Sequence, residues 1–153
     1  MNTEKIKENT RNILAALPED ITLVAAAKSR TPEEVEAVIS AGVTCVGHNY
    51  VQEAERMILA VGHDVQWHMI GHLQRNKVKK AVKIFDLIET VDSIRLAKEI
   101  DKSCRKIGKT MPVLIEINSG EESNKTGVSP DEAEDLARRI AELRNLRLSG
   151  LMT

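Results

Sequence analysis

A parallel α/β architecture is predicted for this 153-residue chain, and three observations predict it. Short β-branched runs alternate with amphipathic helical stretches along the sequence. Two of the helices open on the same strong N-terminal signature. An apolar run, Ile21-Thr22-Leu23-Val24-Ala25-Ala26-Ala27, ends on Lys28 where a strand gives way to a helix. Strands and helices in alternation form right-handed βαβ units on a parallel sheet.

In chain order, an amphipathic helix is expected over about residues 3–17. Strands follow at 23–27, 44–47, 65–70, 87–91, 113–118 and 146–152, with helical segments of about 10–18 residues between them. Thr31-Pro32-Glu33-Glu34 and Ser129-Pro130-Asp131-Glu132 each supply a capping hydroxyl, a proline at the first helical position and a glutamate at the third. Their acidic first turns also suit the helix dipole. Val35, Val38 and Ile39 recur at helical spacing, as do Leu136, Ile140 and Leu143. The sixth strand leads directly into Gly150-Leu151-Met152-Thr153, where the sequence stops. Six βα units are two short of a closed (β/α)₈ barrel. Residues 1–153 are therefore expected to form one domain, either an open doubly wound sheet or an incomplete barrel.

Composition narrows the function classes. The chain is 42% hydrophobic with one Trp, one Tyr and one Phe, so its core is aliphatic. Net charge is −1 with acids and bases interspersed. That balance argues against a nucleic-acid footprint or a membrane-surface patch. No apolar run approaches the roughly 20 residues of a membrane span, and the charged N-terminus lacks the apolar stretch of a secretory signal. Cys45 and Cys104 lie far apart in unlike contexts, which favours buried thiols in a reducing cytoplasm over a disulfide.

The chemistry is expected at the strand exits. Lys28 sits on a strand-to-helix turn, the edge that carries function in barrel and doubly wound folds. Burial there would favour a neutral, nucleophilic amine, whereas a strand-end lysine that merely reaches solvent would have no such role. Three further loops are rich in polar groups: Gly47-His48-Asn49-Tyr50-Val51-Gln52-Glu53, Trp67 through Lys77, and Asn118 through Gly127. In a parallel barrel all of them face the same way as Lys28, which gathers amides, imidazoles and hydroxyls around one amine. His68 and His72 are four residues apart, but Met69-Ile70-Gly71 between them reads as strand and turn, and no third ligand is evident, so no metal site is expected. Asn124-Lys125-Thr126 resembles the end of a P-loop but lacks its glycines, and Glu121-Glu122 would repel a triphosphate. His63 and His72 are expected in exposed loops. Lys77, Lys79, Lys80 and Lys83 fit the solvated face of a helix whose apolar side is Val78, Ala81 and Val82.

These segments, in this order, resemble the pyridoxal 5′-phosphate (PLP) homeostasis protein family, which is alanine racemase N-terminal-domain-like. The resemblance runs through Leu23-Val24-Ala25-Ala26-Ala27-Lys28-Ser29, Gly47-His48-Asn49-Tyr50-Val51-Gln52-Glu53, Trp67-His68-Met69-Ile70-Gly71-His72-Leu73-Gln74-Arg75-Asn76-Lys77, Ser123-Asn124-Lys125-Thr126-Gly127 and Gly150-Leu151-Met152. It implies a (β/α)₈ TIM barrel of the alanine racemase N-terminal type, of which about six βα units are present. It also implies PLP held as a Schiff base on Lys28, with Asn49, His68, Gln74, Asn76 and Met152 around the cofactor. The implied role is cytoplasmic vitamin B6 homeostasis without catalytic turnover. The alternatives are a PLP-dependent racemase or other Schiff-base enzyme and an inactive remnant. A racemase needs a second acid or base across the ring, and the only tyrosine, Tyr50, opens a helix with nothing in the sequence to place it there.

Two departures from the family pattern stand out. His48 occupies a position where the family usually has glutamate, which is expected to change hydrogen bonding near the lysine or the ring. The last two βα units of the family, which carry its phosphate grip, have no counterpart in this sequence, so weakened PLP affinity is expected. Self-association through the open barrel edges is expected for the same reason.

Overall fold

The computed structural model describes residues 2–120 and 126–153. Helix α1 (Thr3–Ala16) is capped by Asn2, whose side-chain oxygen accepts the Lys5 N–H. Then follow β1 (Val24–Ala26), α2 (Pro32–Ser40), β2 (Cys45–His48), α3 (Val51–Val61) and β3 (Gln66–Met69). A 3₁₀ turn (Arg75–Lys77) leads into α4 (Val78–Ile84), followed by β4 (Leu87–Val91), α5 (Ile94–Ile107), β5 (Met111–Glu116), α6 (Pro130–Ala141) and β6 (Leu146–Met152). Both predicted capping boxes form. Thr31 and Glu34 bond each other's backbone N–H, and Ser129 and Glu132 close the same loop at α6. The fifth strand starts two residues earlier than its sequence pattern suggests. It also ends earlier: Ile117 still donates its N–H to the Met152 carbonyl at 2.8 Å but pairs with Val128 in an isolated bridge.

All strands are parallel, and their order in the sheet is β1-β2-β3-β4-β5-β6. That order decides between the two architectures left open by the sequence. A doubly wound sheet reverses its strand order at a switch point and takes helices on both faces. A sheet wound in one direction takes its crossover helices on one face and curls toward a barrel. This sheet is singly wound, so the chain forms part of a barrel wall.

The two faces consequently differ. On the helix side, Ala25, Val46 and Trp67 stand abreast, and His48, Met69, Ile88 and Val113 form a second row. From Val46 onward these side chains are at most 1% exposed. Trp67 fills the middle of this layer and donates its indole N–H to the Gly62 carbonyl at 3.1 Å. Asp86 accepts the Trp67 backbone N–H at 2.8 Å, which ties β3 to the loop entering β4. On the lumen side Ala26, Gly47, His68 and Leu87 stand abreast, and Ala26 and Leu87 are exposed or half-buried. Gly47 suits a narrow lumen, since a Cβ there would come within 2.8 Å of Ile70 and 3.1 Å of Val24.

Candidate functional site at the C-terminal edge of the sheet

Lys28 leaves β1 in a tight turn closed by the Arg30 N–H donating to the Ala27 carbonyl at 3.1 Å. Ser29 holds the left-handed conformation at φ 58°, the only described non-glycine residue to do so. Strand alternation puts Lys28 in the series of Val24 and Ala26, which faces the lumen. Its side chain is exposed, so burial does not hold this amine out of water, contrary to the expectation of a buried nucleophile. What stands beside it is Tyr50: the Lys28 Nζ lies 5.8 Å from the centre of the tyrosine ring. The sequence offered no reason to place Tyr50 at the site. The structure puts it there because β1 and β2 are neighbours, so the residue that opens α3 faces the residue that leaves β1.

Asn49 is half-buried in the β2–α3 turn. Gly71 packs directly against it, and a Cβ on Gly71 would overlap the Asn49 carbonyl oxygen and sit 2.6 Å from its Cα. Only glycine permits that approach of the two loops. Asn49 and Gln74 border one cleft of about 280 Å³ together with Tyr50, His72 and Lys77. Met152 borders a different cleft of about 410 Å³ with Glu116, Ser119 and Thr126. Glu116 accepts the Thr126 hydroxyl at 2.7 Å through one oxygen, while its other oxygen is buried without a partner. Asn76 is exposed within the 3₁₀ turn. The six residues implied by the family resemblance thus lie along one edge, on opposite sides of the lumen.

His68 lies on β3 and is 7% exposed. Its Nδ1 meets Glu89 Oε1 at 2.8 Å, and its Nε2 is buried without a hydrogen-bond partner. In the neutral ring a carboxylate at that distance favours the Nδ1–H tautomer, whose Nε2 carries the lone pair. Sequence reasoning missed Glu89. The signal was available, because Leu87-Ile88-Glu89-Thr90-Val91 places the strand's one charged residue in the same alternating series as Leu87. Thr90 supports the adjoining loop, donating its hydroxyl to the Gly71 carbonyl at 2.6 Å.

His48 does not approach the lysine. It is 1% exposed on the helix side of the sheet, with its ring centroid 6.2 Å from that of Trp67. The expectation that it alters hydrogen bonding to the amine or ring is thereby corrected: one residue of strand alternation sends it to the opposite face. Burial lowers its pKa, opposed by the charge of Glu53. Neither His68 nor His72 joins a metal cluster among the described residues. His72 is exposed and lies 3.6 Å from Asp92. Cys45 and Cys104 are buried free thiols, and burial raises the pKa of Cys104. Residues 121–125, which carry part of the family resemblance and the P-loop-like stretch, lie outside the described residues.

The fold and the strand-end amine define a class: barrel-type α/β proteins that present a lysine at the C-terminal edge of the first strand. The family model of the alanine racemase N-terminal domain matches residues 1–153. The pyridoxal phosphate homeostasis protein of Pasteurella multocida is 35% identical, with 99% of this chain covering 67% of the relative. The protein of that name from Escherichia coli K12 is 38% identical over 88% of this chain and 59% of its own length. The structure of PipY from Synechococcus elongatus without PLP matches 96% of this chain and 69% of its own, with a TM-score of 0.90 and 30% identity. Its PLP-bound form gives 0.86 and 29%. The chain therefore belongs to the alanine racemase N-terminal domain family, among its pyridoxal phosphate homeostasis proteins. It spans about three-fifths to two-thirds of the length of these relatives.

Proposed function

We propose that this chain binds pyridoxal 5′-phosphate through Lys28 and serves vitamin B6 homeostasis in the cytoplasm as a carrier with no turnover of its own. The observation that carries the reading is the exposed Lys28 amine at the lumen edge of β1, in a chain that superposes on a PLP-bound relative at a TM-score of 0.86. When bound, PLP supplies an aldehyde that an amine captures and a ring that withdraws electrons.

The residues present fit the aldehyde end and the ring. A primary amine stands free at the strand exit, apolar Ala26 and Leu87 floor the lumen below it, and the unpartnered His68 Nε2 is an acceptor on that same face. Asn49 and Gln74 would shape one side of the mouth and Met152 the other, with Asn76 at its outer rim. Exposure keeps the Lys28 amine accessible to an incoming aldehyde, and the tyrosine ring restricts where the lysine side chain extends. No helix among the described residues is long and apolar enough to cross a membrane. The outer strands β1 and β6 each pair on one side only, and self-association through them is part of this reading.

The test is an absorbance spectrum after PLP is added and then after borohydride, in wild type and Lys28→Ala. The carrier reading expects a new visible band that borohydride fixes covalently in wild type alone. A wild type without the band overturns it. One observation favours a second reading. Tyr50 stands within reach of Lys28, and a lysine with a nearby phenol is a pair that could exchange an α-proton. Exchange of the alanine α-proton in heavy water, lost in Tyr50→Phe, would identify an enzyme; no exchange leaves the carrier.

A further inference from the structure

Thr90 is 1% exposed on β4, and its hydroxyl reaches the loop that follows β3. The paired residues of β3 and β4 end at Met69 and Ile88. Two residues further along each chain, the Thr90 hydroxyl donates to the Gly71 carbonyl at 2.6 Å. A side chain thus takes over the connection where the backbone ladder stops. Gly71 is buried, and a buried carbonyl needs a protein donor in place of water.

Gly71 passes that constraint to the neighbouring turn. A Cβ on Gly71 would lie 2.3 Å from the Asn49 carbonyl oxygen and 2.8 Å from its carbonyl carbon, so the two backbones are already in close contact. Backbone bonding between β2 and β3 runs as far as the Ile70 N–H and the His48 carbonyl, 2.9 Å apart. Just past that rung, Gly71 packs against Asn49, and Tyr50 follows as the first turn of α3 begins. No side-chain hydrogen bond caps α3 at Tyr50, so packing rather than a cap holds this turn. The Tyr50 ring centre in turn lies 5.8 Å from the Lys28 Nζ. Chains of packed groups of this kind carry coupling from one site to another. We propose that Thr90 is a positioning residue for the Lys28 amine. Its hydroxyl fixes Gly71, Gly71 seats the Asn49–Tyr50 turn, and the Tyr50 ring then limits where the lysine extends. The seat is a property of this chain alone; only its consequence for PLP rests on the proposed function.

The chain has one tyrosine, so the Tyr50 ring gives a single set of ¹³C–¹H resonances in the full chain. Lys28→Ala is made in wild type, in Thr90→Val and in Thr90→Ser, and the change it causes in the Tyr50 signals is compared. Removing the lysine is expected to shift those signals in wild type. Thr90→Val keeps the shape of the side chain without its hydroxyl, and there the lysine-dependent shift should fall by about half or more. Thr90→Ser keeps the hydroxyl and should restore the shift. With PLP present, borohydride capture in Thr90→Val is expected to be about two- to tenfold slower than in wild type, the span one hydrogen bond is worth. A Thr90→Val protein that keeps the full lysine-dependent shift overturns the proposal and limits Thr90 to stability. A Thr90→Ser protein that fails to restore the shift overturns it too, as does a wild-type Tyr50 signal that ignores Lys28→Ala. Absence of PLP capture in wild type overturns the carrier reading alone, because the tyrosine signals judge the seat without PLP.

Discussion

His48 and His68 sit on neighbouring strands, one register step apart, and their surroundings differ in nearly every respect. His48 faces the helices, packs beside Trp67 and makes no hydrogen bond. His68 faces the lumen and is held by Glu89 at 2.8 Å. On the helix side the sheet is a close-packed layer, where each side chain matters through volume. On the lumen side it is less tightly filled, with Ala26 exposed and Leu87 half-buried, and isolated polar groups matter through the bonds they make or leave free. The same residue type is thus a packing element in one place and a positioned acceptor in the other. Strand alternation alone separates the two.

Substitutions on the two faces can break or sharpen that contrast. The largest stability loss belongs to the helix side. Trp67→Ala empties the middle of the packed layer and strips the Gly62 carbonyl of its donor, with an expected cost of about 3–5 kcal/mol in urea unfolding. Next comes Glu89→Ala, which leaves the His68 Nδ1–H buried without an acceptor. A loss of about 1–3 kcal/mol is expected, and Glu89→Gln should recover part of it because the amide oxygen still accepts. If Glu89→Ala costs as much as Trp67→Ala, the lumen face is packed more tightly than the contrast allows.

A smaller effect comes from acid. The pKa of His48 is lowered in the folded state from an ordinary value of 6.5, so the unfolded chain takes up a proton first. Stability held above pH 6.5 should therefore decline as pH falls below it, toward the lower folded-state pKa. His48→Gln should flatten that decline in melting midpoints measured from pH 7 downward. The smallest effect on stability, within about 0.5 kcal/mol, is expected for Lys28→Ala, an exposed position. The same substitution should abolish capture of PLP by borohydride. A Lys28→Ala protein that unfolds much more easily would assign the lysine to structure.

Much of the fold was legible in the sequence because its signals are local. The alternation of β-branched runs with helical periodicity, the two proline-led capping boxes and the apolar faces of α2, α4 and α6 depend on neighbours within a few residues. Helix caps and strand pleats act at that range. The candidate site was legible in part for the same reason. A lysine closing an apolar run marks a strand exit wherever the strand ends up in the sheet.

The tertiary structure decided the remainder. Strand order, which separates a singly wound barrel wall from a doubly wound sheet, depends on contacts between distant segments that no local pattern encodes. The meeting of Lys28 and Tyr50 and the pairing of His68 with Glu89 arise because β1 adjoins β2 and β3 adjoins β4. Of the two states the sequence leaves open for Lys28, a buried amine or one in water, the fold selects water, because the turn at Ser29 releases it beyond the sheet edge. His48, expected to change hydrogen bonding near the lysine or the ring, lies among helices, because its side of the strand follows from register. The sequence by itself determined which elements form and which residue types carry reactive groups. Only the packed sheet decided which face each group occupies and what it touches, since a shift of one residue along a strand reverses its side.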